Sequence, residues 1–249
     1  MILYIFYYCA GGGTGRRYVL EGVYFNVMGH RGTKPKGKVK IRWTPNFAYI
    51  IGLIATDGCL SKDGRHITLT SKDGEQLANF KKCLGLGNIV GNTMSGYNGK
   101  PYGRVQFGDV LFYKFLLKIG LTPAKSKTIG GLKIPTRYFF DFLRGSLDGD
   151  GCTYSYWDKR WKSSFMFYTC FVSASRDHIL WLQENIKKQT GASGHISGDG
   201  RKATFHLKYA KKESSAILKK MYYSDNVICL KRKRLKIEKT LSIAGLKLS

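Results

Sequence analysis

The apolar positions of this chain gather into two matched runs. The first is Ile50-Ile51-Gly52-Leu53-Ile54-Ala55-Thr56-Asp57-Gly58-Cys59 and the second is Leu143-Arg144-Gly145-Ser146-Leu147-Asp148-Gly149-Asp150-Gly151-Cys152. Each ends on an acidic residue, a glycine and a cysteine. Ala48, Gly52 and Thr56 recur at i, i+4 and i+8, and Gly145 and Gly149 repeat the spacing, so each run predicts a helix with one stripe of small residues. Two such stripes allow close approach of helix backbones. Gly58 and Gly151 fit the place just past a helix C-terminus, where a left-handed conformation ends the helix.

Around the runs the pattern alternates between period 2 and helical spacing. Thr44-Pro45 opens the first helix, with threonine as cap and proline in the first turn. Strands are expected near Cys59–Leu60 and Arg65–Thr70, where Ile67 and Leu69 alternate with His66, Thr68 and Thr70. A helix follows from Asp73 to about Leu84, then strands near Asn88–Met94 and Tyr102–Phe107, then a helix over Val110–Ile119. The second half repeats the order. It has a motif helix from about Thr136 to Gly149, strands near Thr153–Asp158 and Ser164–Ser173, and a helix over Arg176–Gln189. Strands near Gly194–Ser197 and Arg201–Tyr209 and a helix over Lys211–Tyr222 complete it. Ser71-Lys72-Asp73 pairs with Ser175-Arg176-Asp177 in this reading, and Val105-Gln106-Phe107 with Leu207-Lys208-Tyr209. The expected organisation is a basic Gly-rich extension (1–44), a first repeat (45–120), a linker (121–137), a second repeat (138–223) and a basic tail (224–249). The fold class is α+β, two αββαββα halves with two four-stranded antiparallel sheets.

Asp57 and Asp150 would sit in the last turn of their helices, at the negative end of each helix dipole. If the helices pack side by side, the two carboxylates also crowd each other, which raises at least one pKa. A divalent cation relieves both penalties, and hard oxygen ligands of this kind suit Mg²⁺ and metal-assisted phosphodiester hydrolysis. A lone Asp-Gly usually just ends a helix. Two copies in matched context point further.

Charge sharpens the picture. The 249 residues carry 42 Lys and Arg against 16 Asp and Glu, a formal net charge of +26. That excess calls for a polyanionic partner, nucleic acid before membrane, since no apolar run approaches the ~20 residues of a spanning helix. The six cysteines form no CxxC pair and no metal spacing, as in a protein of a reducing, intracellular setting. The extension reads as a short hairpin or as an arm lying against DNA through Lys34, Lys36, Lys38 and Lys40. No basic residue precedes its opening apolar run, so a secretory signal is not expected. Lys231 to Ile237 reads as a basic helix, the plainer account being a solvated end. The polar faces of the strands carry His66, Thr68, Thr70, Tyr102, Arg104 and Gln106 in one half. In the other they carry Lys202, Thr204, His206 and Lys208, with Tyr154, Tyr156 and Lys162 nearby. Such a mixture reaches base edges and phosphates in a major groove.

The paired runs, with the linker Gly120-Leu121-Thr122-Pro123 and Lys125-Ser126-Lys127-Thr128, resemble the single-chain LAGLIDADG homing endonucleases over roughly residues 44–241. The resemblance implies a pseudo-twofold pair of halves whose sheets form a saddle on double-stranded DNA, with the motif helices at the interface. It implies Mg²⁺ bound by Asp57 and Asp150, with the carbonyls of Thr56 and Gly149 as further ligands. Gln106 and Lys208 would position water and neutralise charge. The implied outcome is double-strand cleavage at a long site by a monomer, serving intron homing. The same scaffold also allows an RNA maturase acting on its host intron RNA, or a DNA-binding regulator that does not cut.

Overall fold

The computed structural model describes residues 15–20, 23–28, 35, 37–94, 99–199 and 204–248. The chain divides into two units, residues 1–35 and 36–249. In the first, β1 (Gly15–Leu20) and β2 (Val23–Met28) pair antiparallel as a hairpin. Lys34, Lys36 and Lys202 lie outside the described residues, as do residues 95–98.

The second unit holds everything else. Its first half runs α1 (Pro45–Thr56), β3 (Gly58–Leu60), β4 (His66–Ser71), α2 (Gly74–Leu84), β5 (Gly91–Met94), β6 (Pro101–Gly108) and α3 (Val110–Ile119). Its second half runs α4 (Phe139–Asp148), β7 (Cys152–Trp157), β8 (Phe165–Ser173), α5 (Arg176–Thr190), β9 (His195–Asp199), β10 (Thr204–Ala210) and α6 (Lys211–Met221). A further helix, α7 (Lys231–Ile243), follows. The two four-stranded sheets are antiparallel throughout and share one order, β3-β4-β6-β5 and β7-β8-β10-β9.

The alternating pattern explains each sheet. Ile67, Leu69, Val105 and Phe107 are buried on one face of the first. Phe165, Phe167, Phe171, Leu207 and Tyr209 are buried in the second. Leu69 pairs with Val105, and Phe171 with Leu207, so Val105-Gln106-Phe107 and Leu207-Lys208-Tyr209 hold corresponding places. The helices after β4 and β8 correct the expected match there. α2 is capped by the Asp73 carboxylate on Glu75 N, α5 by the Ser175 hydroxyl on His178 N. Asp73 therefore corresponds to Ser175, two residues off the Ser71-Lys72-Asp73 pairing. The longer β7–β8 hairpin hid that offset.

α1 and α4 form the seam between the halves. A Cβ at Gly52 would overlap the Phe142 carbonyl and sit 2.8 Å from Ser146 N. One at Gly145 would overlap the Tyr49 carbonyl and sit 3.1 Å from Gly52 Cα. The small-residue stripes thus meet backbone to backbone. Gly58 and Gly151 do not take the left-handed conformation expected of them. They are bare because a Cβ would press on their own helices, 2.6 Å from Ile54 Cα and 2.7 Å from Leu147 Cα.

Candidate active site

The seam ends where the acids are. The Asp57 backbone N–H donates to Leu53 O as the last bond of α1. α4 ends one residue earlier, with Gly149 N donating to Gly145 O. A Cβ on Gly149 would lie 2.7 Å from Thr56 Cβ and 2.9 Å from Asp57 Oδ2. The Asp57 carboxylate therefore rests against the residue that precedes Asp150. Burial, and then the charge of Asp150, push Asp57 up to about 6. Asp150 opens to solvent, yet the surrounding protein still desolvates its carboxylate and raises its pKa. Gln76, buried at the start of α2, donates from Nε2 to Asp57 Oδ2 at 2.8 Å and favours the charged form.

Two lysines answer the acids. The Lys125 ammonium is buried and donates to Gly58 O, just past α1. The Lys233 ammonium donates to Leu147 O, Asp148 O and Gly151 O at 2.5, 2.9 and 2.8 Å, and reaches Gly149 O at 3.3 Å. Each cation thus sits on the negative end of one motif helix, where its charge is favoured. Burial lowers the pKa of both. Each lysine follows the third helix of its half, and Gly58 corresponds to Gly151, so the arrangement repeats across the pseudo-twofold. Lys125 follows Ala124, whose φ of 54° makes it the non-glycine residue with positive φ among the described residues. A left-handed alanine costs about 1–2 kcal/mol, and here the turn it makes delivers Lys125.

The expected polar faces exist. His66, Thr68, Thr70, Tyr102, Arg104, Gln106, Thr204, His206 and Lys208 all lie on the more open side of their strands. Thr68 faces Gln106, and Thr70 faces Arg104. His66 also pairs with Asp63, whose carboxylate is held below its ordinary range chiefly by the backbone N–H of His66. Gln106 and Lys208 stand two strands from β3 and β7, about 10 Å at ordinary strand spacing. Lys125 and Lys233 are cations whose charge bears on the acid pair.

The tail is no solvated end. Arg232 pairs with Asp73 at 2.6 Å, Lys231 N donates to Glu75 Oε2 at 3.0 Å, and Ile237 and Leu241 are buried. Two polar side chains inside α4 hold the chain that leads there. Buried Arg144 donates to Met221 O and Ile228 O, pairs with Asp141 at 2.8 Å, and Asp148 accepts from Leu230 N. An Arg and an Asp at i, i+4 on a buried helix were the available signal. The first motif has Ile51 and Ala55 at those places.

Among the described residues, no cluster of three His, Cys, Asp or Glu side chains surrounds a metal position. The side chains at the seam that could hold a metal are the two carboxylates of Asp57 and Asp150, a donor set of hard oxygens. It fits a hard divalent cation that keeps waters and takes few protein carboxylates. No described helix is long and apolar enough to cross a membrane.

Residues 44–120 match the family model described as LAGLIDADG-like domain. No curated protein matches the sequence. Several solved structures share the fold. I-SmaMI, bound to uncleaved DNA in the presence of calcium ions, aligns with TM-score 0.53 at 14% identity over 82% of this chain and 92% of its own. The homing endonuclease I-WcaI bound to its DNA recognition sequence aligns with TM-score 0.52 at 14% identity, over 78% and 88%. Full-length DUF199/WhiA from Thermatoga maritima aligns with TM-score 0.51 at 14% identity over 84% of this chain, which spans 64% of the WhiA length. At such identities the likeness carries the fold, and it covers both halves where the sequence match covers one. The chain thus carries a LAGLIDADG-like domain and has the two-sheet fold of the single-chain LAGLIDADG homing endonucleases.

Proposed function

We propose that this protein is a divalent-cation-dependent endonuclease that cuts both strands of duplex DNA at a long, specific site. The observation that carries the reading is the bare seam, which brings Asp57 against Gly149 and so beside Asp150. Burial disfavours the charged form of both acids. A protein that only bound DNA would gain nothing from two such carboxylates. A shared cation gives them a use.

Asp57, Asp150 and the carbonyls of Thr56 and Gly149 would hold the ion, Mg²⁺ in the expected case. When bound, the ion supplies Lewis-acid polarisation of the scissile phosphates. Gln76 keeps the Asp57 carboxylate oriented and charged. Lys125 and Lys233 place one cation on each side of the pair, where negative charge builds during phosphoryl transfer. The open strand faces position the duplex, with Arg104 and Gln106 suited to guanine and adenine edges and Lys208 to phosphate. That likenesses of this fold hold DNA, one with calcium ions, supports this reading.

The test is cleavage of a randomised duplex library with recovery of cut ends. The wild-type chain with Mg²⁺ is expected to yield double-strand cuts at one long consensus, and chelation to stop them. Asp57→Asn and Asp150→Asn should each reduce cutting about a thousandfold, since a metal's charge stabilisation is worth several kcal/mol and each ~1.4 kcal/mol is tenfold. Duplex affinity should hold. Cutting that persists in either variant refutes the assignment.

A further inference from the structure

We propose that Asp148 is a positioning residue of the second half, a buried carboxylate that fixes the start of α7 so that Lys233 is held over the end of α4. Its consequence for cutting rests on the nuclease reading above; its geometry does not. Asp148 is 2% exposed. Its Oδ2 accepts from Tyr49 OH at 2.9 Å and from Leu230 N at 2.7 Å. Leu230 is the residue before α7, and its carbonyl accepts from Lys233 N at 3.0 Å and Arg234 N at 3.1 Å. Asp148 therefore grips the turn that carries Lys233 and also offers negative charge to the N-terminus of α7. Four residues earlier on α4, Arg144 holds Ile228 O, so the segment leading into α7 is fastened at two points. Asp148 Oδ1 is buried with no hydrogen-bond partner among the described residues. A group so placed costs stability, which a purely structural position would lose by substitution to an apolar residue. The equivalent place in the first half is Ala55, and Lys125 is delivered there by the left-handed turn at Ala124 instead.

The device is thus one-sided, and so is its test. Wild-type chain without DNA is labelled with trace acetic anhydride, and the rate at each lysine is read by mass spectrometry against exposed Lys231 and Lys239. Lys233 and Lys125 should both be protected. In Asp148→Ala, Lys233 should label about tenfold faster or more, the ratio that losing a hydrogen bond to a charged group implies, while Lys125 stays protected. Asp148→Asn should retain most of the protection, because one amide oxygen can accept both bonds. Unchanged Lys233 labelling in a folded Asp148→Ala chain overturns the proposal, as does an equal rise at Lys125. Should that variant lose its cooperative melt, Leu230→Pro decides by the same two outcomes: φ at 230 is −77°, which suits proline, and the substitution deletes the N–H that Asp148 accepts. On cleavable duplex, Asp148→Ala should slow one strand and leave nicked product. A wild-type chain that cuts nothing would sink the nuclease reading and leave the labelling result standing.

Discussion

The two halves share a frame and differ in what they hang on it. On the open face of the first sheet, Thr68, Thr70, Arg104 and Gln106 form a polar grid. On that of the second, Tyr154 stacks on Tyr168 at 5.1 Å and Tyr156 on Tyr168 at 6.2 Å, beside Cys152 and Cys170. The seam shows the opposite relation. Gly52 and Gly145 are interchangeable in role, and each motif helix ends under a lysine, yet the two lysines arrive by different routes. The lesson is that duplication preserves what the backbones need from each other. Supporting side chains diverge wherever another route reaches the same place.

The seam should break equally from either side. Gly52→Ala and Gly145→Ala each drive a methyl into a carbonyl of the facing helix, where neither backbone has room to move. Each should cost about 3 kcal/mol, at the upper end for overpacking, and denaturant melts would read it. A large effect at one glycine and none at the other would mean that the stripes are not equivalent.

The lysines should separate the halves. Lys125→Met and Lys233→Met should each slow one strand by about 10–100-fold, roughly the loss of one electrostatic stabiliser or somewhat less. The strands should be different ones, as strand-labelled duplex in single-turnover cutting would reveal. Slowing of the same strand by both changes would contradict the symmetric placement.

A smaller effect concerns stability. The Asp57 pKa is raised from 3.8 to about 6 on folding, so its ionisation opposes the folded state. Its contribution is favourable below pH ~4 and is lost as pH rises through about 6. Asp57→Asn should therefore raise Tm at pH 8, about 2–4 °C for each kcal/mol regained, and give no gain at pH 4. A Tm gain that is the same at both pH values would show that charge is not the cause.

Much of this was legible in the sequence, for reasons that can be named. Strands β4, β6, β8 and β10 announce themselves by period 2, because each buries one face. The seam was readable because small residues at i, i+4 have few other uses in an apolar helix. Lys233 was not readable, since a run of Lys and Arg looks the same whether one ammonium is half-buried on helix carbonyls or all are in water. Lys125 sits in a linker, where the φ of 54° at Ala124 leaves no mark in composition. Arg144 and Asp148 were visible as charges within the second motif run. What they hold is backbone of residues 221–230, and no local pattern records a carbonyl's partner. The left-handed conformation expected at Gly58 and Gly151 failed because glycine answers two needs, positive φ and absent Cβ, and here the second rules.

Whether Asp57 and Asp150 share one divalent-ion centre at the seam can be read directly on the protein. Fe²⁺ substituted for Mg²⁺, with ascorbate and peroxide, cuts polypeptide beside its binding site, and the fragments can be mapped by mass spectrometry. Paired cuts near residues 57 and 150 are expected, and both should disappear in either Asp→Asn variant. Cuts at one position that survive loss of the other aspartate, or cuts away from both, would contradict a shared centre.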